Sequence, residues 1–112
     1  MKKFINSVDE ILSESLTGFG NAHSEILEVK LKPDFIARKS KPAKPKVALI
    51  SGGGSGHEPL HGGFVGFGML DAACPGQVFS APTPDQMEAA AHHVHSGKGI
   101  LFIVKNYSGD IM

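Results

Sequence analysis

The sequence predicts an α/β fold in which a parallel sheet is flanked by helices. Two continuous apolar runs, residues 47–50 and 100–104, have the length and composition of buried strands. Between them, residues 80–85 form a typical helix start, and a helix that joins two strands usually brings them side by side in parallel. Polar residues follow both runs, so the two loops should meet at one edge of the sheet, where α/β proteins bind ligands.

The composition is that of one globular domain. Of 112 residues, 41% are hydrophobic, and eleven basic residues balance eleven acidic ones, so net charge gives no reason to expect a nucleic-acid or membrane partner. Asp9 and Glu10 interrupt the segment where a secretory signal would lie, and no apolar run is long enough to span a bilayer. The predicted location is therefore cytoplasmic. A single cysteine, Cys74, excludes an internal disulfide and a multi-cysteine metal site.

The chain is predicted to begin with an amphipathic helix over residues 4–19. Apolar residues recur there at helical spacing, and Ser7 with Glu10 three positions later matches a capping box. Gly18 and Gly20 are expected to end this helix. Its apolar stripe should pack against the rest of the protein.

Three further segments precede the last strand. Residues 26–31 alternate apolar and charged side chains, which predicts a strand with one exposed face. Residues 38–46 are basic and contain prolines, which favours a solvated connector over an anion-binding tract. Residues 62–70 mix glycines with apolar side chains, which implies close backbone packing. The last strand, residues 100–104, is predicted to be buried on both faces.

The helix between the two apolar strands has a well-defined start. Thr83 is suited to the N-cap position, Pro84 to the first helical position and Asp85 to the positive end of the helix dipole. The helix is expected to run to about His95.

Residues 51–58 are the strongest candidate for a functional loop. Four glycines in this stretch lack side chains to pack, so they should serve backbone shape or close approach, although an ordinary glycine-rich turn is the alternative. The loop follows a strand and delivers an ionisable side chain, His57. Because Asp110 follows the other apolar strand, His57 and Asp110 are expected to face one pocket.

Other motifs match this loop only in part. Residues 57–61 fit the zinc-peptidase pattern H-E-x-x-H, but that pattern needs both histidines on one helix, and Pro59 with the preceding glycines opposes one. The loop also lacks the third glycine of a dinucleotide fingerprint and the Gly-Lys-Ser/Thr of a P-loop. The sequence therefore predicts no metal site and no nucleotide site.

Taken together, five segments carry a specific resemblance. They are residues 1–6, 47–59, 73–76, 82–85 and 105–110. In this order, the chain closely resembles the substrate-binding K domain of dihydroxyacetone kinases. The resemblance covers essentially all of residues 1–112, which are identified as the amino-terminal portion of a single, apparently truncated K domain.

The resemblance implies a function in glycerol metabolism. The K domain or subunit binds dihydroxyacetone (glycerone), and a separate L domain or subunit donates the phosphoryl group. The L domain or subunit carries its nucleotide with magnesium. The nucleotide is either ATP that is used directly, or bound ADP that a phosphotransferase system recharges from phosphoenolpyruvate before each transfer. This chain is therefore expected to carry no cofactor itself, and the full-length protein is expected to be a homodimer.

The resemblance also assigns roles to residues of this chain. It implies that His57 is the general base and that the other substrate-binding residues are Gly54, Ser55, Gly56, Lys105 and Asp110. A neutral imidazole can accept a hydroxyl proton, and a nearby carboxylate can orient that hydroxyl.

In the family, the histidine that binds the substrate carbonyl covalently belongs to the part beyond Met112. Residues 1–112 alone are therefore expected to be inactive. The alternative function is that of a non-catalytic, dihydroxyacetone-binding regulatory paralogue.

Overall fold

A computed structural model describes residues 1–112. The strands are β1 (Leu27–Lys30), β2 (Phe35–Arg38), β3 (Ala48–Ser55), β4 (Ala72–Val78) and β5 (Ile100–Ile103). The helices are α1 (Ile11–Ala22), α2 (Pro84–Val94) and α3 (Ser108–Ile111), with a short 3-10 helix over Gly62–Phe64. None of these helices has the length and apolar character needed to cross a membrane.

The strands form one mixed sheet in the order β1-β2-β4-β3-β5. β3 pairs in parallel with β5, with Ala48 opposite Ile100, and pairs in parallel with β4 on its other side. This confirms the predicted α/β fold with two apolar strands as parallel neighbours. β1 and β2 extend the sheet in antiparallel fashion.

Two of the five strands, β2 and β4, were absent from the sequence prediction. β4 consists largely of small residues and contains Pro75, so it lacks the β-branched and aromatic side chains that mark a strand. β2 is only four residues long. Short strands of this kind are specified by their neighbours in the sheet more than by their own residues.

β3 is longer than predicted, because it continues through the glycines to Ser55. The prediction of a loop over residues 51–55 is therefore wrong. The prediction of close backbone approach is confirmed: a side chain at Gly52 would place its Cβ 2.7 Å from the carbonyl oxygen of Cys74 on β4. The glycines allow β4 to pack against β3 along its carboxyl half.

Helix α1 differs from the predicted helix at both ends. It begins at Ile11 without a side-chain cap, and the preceding Phe4 is fully exposed. It also continues past both glycines to Ala22. Gly20 serves packing instead, because a Cβ there would lie 3.0 Å from Cγ2 of Val29 on β1.

The two long helices cover opposite faces of the sheet. α1 packs its Leu16 over Leu27 and Ile36, whereas α2 packs its Ala90 over the neighbouring residues of β2, Phe35 and Ala37. Successive residues of a strand point to opposite faces, so this alternation separates two apolar cores.

Helix α2 confirms its predicted start and end. It begins at Pro84, and Thr83 forms a capping box with Gln86. It ends at Val94, one residue before the predicted limit. Cys74 is buried beneath this helix, and burial raises the pKa of its thiol to about 12.

β5 is half exposed, so the prediction that it is buried on both faces is wrong. Leu101 is 53% exposed and Ile103 is 51% exposed. The reason is its position: β5 is an edge strand, and α2 lies over β2, β4 and β3 instead. An apolar run alone does not distinguish a central strand from an edge strand.

Candidate functional site

A cavity of about 300 Å³ lies at the carboxyl ends of the three parallel strands. Residues from three separate segments line it. They include Gly54 and His57 at and after the end of β3, Phe79 and Ser80 after β4, and Lys105 and Asp110 after β5. The structure therefore brings His57 and Asp110 to one cavity, at the sheet edge where the sequence places them.

Gly54 forms part of the cavity wall where β3 meets the turn that follows β4. A Cβ at this position would lie 2.7 Å from the backbone nitrogen of Ser80 and 2.9 Å from its oxygen. Such distances are not tolerated against backbone atoms, so only glycine fits. The absence of a side chain at Gly54 therefore lets the turn after β4 lie directly against β3 at the cavity wall.

Two of the predicted substrate-binding residues, Ser55 and Gly56, do not line this cavity. Ser55 is buried, and its hydroxyl donates a hydrogen bond to the carbonyl oxygen of Gly76 at 2.7 Å. Gly56 has a φ of +107°, and a Cβ there would lie 2.8 Å from Cε1 of Phe79. In this structure both residues shape the chain around the cavity.

The segment around His57 forms turns and not a helix. The amide of Gly56 donates a hydrogen bond to the Glu58 carboxylate at 2.9 Å, so this carboxylate closes a turn. The two histidines, His57 and His61, are therefore not presented one helical turn apart, as a zinc peptidase requires. The structure contains no group of three His, Cys, Asp or Glu side chains arranged to hold a metal.

Phe79 contacts His57 directly and was not singled out by the sequence. The two ring centroids are 5.2 Å apart, and the rings meet edge to face at 76°. Phe79 has a φ of +52°, which is unusual for a bulky residue. No sequence pattern marks this residue, because the left-handed conformation arises from the packing of the turn.

His61 and Lys105 pack together against Gly53. A Cβ on Gly53 would lie 2.9 Å from Cε1 of His61 and 3.0 Å from Nζ of Lys105. Burial lowers the pKa of His61, and the charge of Lys105 lowers it further, while Asp110 acts in the opposite direction. His61 thus packs beside Lys105, which lines the cavity, and its spacing from His57 did not reveal this position.

The segment after β5 is held by hydrogen bonds to its backbone carbonyl groups. The Ser51 hydroxyl donates a hydrogen bond to the Ile103 carbonyl oxygen at 2.7 Å, which ties the end of β5 to β3. The Tyr107 amide then bonds to the Lys105 carbonyl at 2.8 Å. Asp110 lies in the short helix α3 that follows. These bonds fix the segment on which Lys105 and Asp110 reach the cavity.

The Dak1 domain matches residues 17–112. The chain belongs to this family. It is 50% identical over 112 residues to the dihydroxyacetone-binding subunit DhaK of the PEP-dependent dihydroxyacetone kinase of Escherichia coli (strain K12), covering 100% of this chain and 31% of that subunit. The Dak1 chain thus spans about a third of this curated relative, and the match confirms the family resemblance stated from the sequence.

Two solved structures illustrate the fold that this chain shares with known proteins. The crystal structure of the dihydroxyacetone kinase from C. freundii in complex with AMP-PNP and Mg2+ matches with a TM-score of 0.87 and 39% identity, over 97% of this chain and 21% of that one. The dihydroxyacetone kinase operon co-activator Dha-DhaQ matches with a TM-score of 0.77 and 37% identity, over 95% of this chain and 31% of that one.

Proposed function

We propose that this chain supplies part of the dihydroxyacetone site of a dihydroxyacetone kinase. The observation that carries the proposal is the joint position of His57, Lys105 and Asp110 around one cavity of about 300 Å³ in a Dak1 chain. This volume is at the lower end of the range for ligand pockets, which suits a three-carbon substrate. The substrate class comes from the relatives, which are dihydroxyacetone kinases.

In the proposed reaction, His57 acts on the hydroxyl that receives the phosphoryl group. Its neutral imidazole accepts the hydroxyl proton while the oxygen attacks phosphorus, which is the task of a general base. Asp110 accepts a hydrogen bond from a substrate hydroxyl and orients it. Lys105 donates a hydrogen bond to a substrate oxygen, and the backbone of Gly54 forms part of the wall that the triose contacts.

The phosphoryl donor is proposed to bind to a separate L domain or subunit. Phosphoryl transfer depends mainly on positioning and on charge stabilisation around the transferred group, so the donor must reach His57 from outside. His57 is exposed, which leaves room for this approach. The proposed donor is ATP with magnesium, either used directly or regenerated from bound ADP by a phosphotransferase system. The full-length protein is proposed to be a homodimer.

A regulatory function is the second candidate, because the chain also matches an operon co-activator. A receptor for dihydroxyacetone needs a binding cavity but no general base. The presence of His57 and Asp110 at the same cavity favours the kinase.

A chimera can test the proposal. Residues 1–112 would replace the matching segment of the E. coli subunit, which is 50% identical, and turnover of dihydroxyacetone would be measured with the partner subunits of that kinase. We expect turnover in the chimera and a loss of roughly 10²- to 10⁴-fold on His57→Ala, the usual range for a general base. His95→Ala is the control, because His95 is exposed and lies outside the cavity. Binding of dihydroxyacetone without turnover would support the regulatory function instead.

A further inference from the structure

Phe79 adopts a backbone conformation that its side chain disfavours. Its φ of +52° places it in the left-handed region, where Cβ crowds the backbone and where glycine or asparagine is usual. Residues held in such conformations occur mainly where the surrounding structure enforces them, often at functional sites. A glycine at this position would remove the steric conflict, so the aromatic ring itself requires an explanation.

Burial in an apolar core does not explain why an aromatic side chain occupies position 79. The Phe79 residue is 71% exposed, so it contributes little to either apolar core. Its contacts are instead with the site: its ring meets His57 edge to face with centroids 5.2 Å apart, and it lies where a Cβ on Gly56 would have to be. Phe79 also lines the cavity that His57 lines.

The backbone around Phe79 is held firmly. Its amide donates a hydrogen bond to the carbonyl oxygen of Ser55 at 2.7 Å, and the amide of Ser80 bonds to the carbonyl of Gln77 at 3.0 Å. Gly54 packs directly beneath this turn. The end of β3 therefore fixes the backbone from which the Phe79 ring projects.

We propose that Phe79 is a positioning residue that holds the imidazole of His57 in its working orientation. This inference rests on the proposed function, in which His57 is the general base. His57 is exposed on a turn segment, where an unrestrained side chain would sample several rotamers. The edge-to-face contact restricts the ring, and a misplacement of about 1 Å is enough to cost roughly 10²-fold in rate.

Kinetics of the chimera give the first test. Phe79→Leu should lower kcat by about 10- to 100-fold with little change in KM, since the base is misoriented while the cavity persists. Phe79→Tyr should restore most of kcat, because it keeps the aromatic edge. Phe79→Gly should lower kcat as much as Phe79→Leu without lowering the denaturation midpoint, because glycine accepts the left-handed conformation. The control is Phe4→Leu, which changes a fully exposed ring outside the site.

A double variant shows whether Phe79 acts through His57. If it does, Phe79→Leu should lower kcat no further in a His57→Asn background, whereas independent effects would multiply. An effect on KM alone, or a full multiplicative loss in the double variant, would overturn the proposal. Either result would make Phe79 a substrate contact and not a positioning residue.

NMR of the chimera with isotope-labelled histidine rings tests the contact without requiring activity. The ring protons of His57 should show a ring-current shift, and the His57 side chain should occupy a single χ1 rotamer. Both features should be lost in Phe79→Leu and kept in Phe79→Tyr. Equal shifts and rotamer averaging in all variants would overturn the proposal. An inactive wild-type chimera combined with the expected NMR result would instead count against the proposed kinase function alone.

Discussion

The carboxylate of Asp71 accepts a hydrogen bond from the backbone amide of Leu49, with nitrogen and oxygen 2.8 Å apart. The same carboxylate pairs with the guanidinium of Arg38 at 3.3 Å and with the ammonium of Lys46. The Asp71 and Arg38 side chains are almost fully buried. This cluster joins β2, β3 and the basic connector, so the connector is attached to the sheet at Lys46 and is not fully solvated.

We expect Asp71→Asn to destabilise the fold strongly. Asparagine keeps the size of the side chain but leaves the buried guanidinium of Arg38 without a counter-charge, which costs about 3–5 kcal/mol when one partner of a buried pair is removed. The free energy of unfolding would be measured in urea. Glu25→Gln removes an exposed carboxylate as a control, and an Asp71→Asn effect as small as this control would contradict the prediction.

Asp71 should also make stability depend on pH. Burial acts to raise the pKa of Asp71, but hydrogen bonds from Lys46 and from the Leu49 amide outweigh it and hold the pKa below its ordinary value. The unfolded chain, with a pKa of about 3.9, therefore binds the additional proton first in acid. The stabilisation is complete above about pH 4 and is lost as the pH falls through the folded-state pKa.

The measurement is a series of urea midpoints between neutral pH and pH 2. In Asp71→Asn, the part of the acid-induced loss that comes from this carboxylate should be missing, so the profile should be flatter than in the wild type. Parallel profiles below pH 4 would show that Asp71 is not the group responsible.

Gly54→Ala should damage both the fold and the cavity. The added Cβ would lie 2.7 Å from the Ser80 backbone nitrogen, and overpacking of this kind costs about 1–3 kcal/mol. Gly18→Ala is the matched control, because its Cβ position has no atom within 4 Å apart from the backbone of α1 itself. That change should stabilise the protein by about 0.5–1 kcal/mol. Thermal unfolding of both variants tests this difference. Equal changes of the same sign in the two melting temperatures would contradict the prediction.

Residues 1–112 should self-associate through β5. This edge strand exposes Leu101 and Ile103 by about half, and exposed apolar edges pair readily with other strands. We expect Ile103→Lys to shift the protein towards the monomer in light scattering at increasing concentration. Val8→Lys introduces the same charge at an exposed position outside the sheet. A monomer at all concentrations in the wild type would contradict this prediction.

The sequence predicted the features that depend on strong local patterns. The parallel pairing of β3 with β5 followed from two apolar runs, and the start of α2 followed from Thr83, Pro84 and Asp85. The meeting of His57 and Asp110 followed from topology, because the carboxyl ends of parallel strands share an edge.

Features that depend on packing between distant segments were not predictable. Gly20 resembled a helix end but accommodates Val29, and Gly52 resembled a loop but accommodates β4. The edge contact of Phe79 with His57 depends on a left-handed residue that no composition rule identifies. In each case the deciding atoms belong to a strand or turn that is remote in sequence.

The strand order has a consequence for when the cavity can form. β3 lies between β4 and β5, and β5 follows both of them in the chain. During translation, the wall that carries His57 therefore leaves the ribosome well before the wall that carries Asp110. Pairing of strands so far apart closes a long loop, which is a slow step in folding. A growing chain should thus acquire its glycine-rich strand early, and His57 and Asp110 should meet only after β5 has been made.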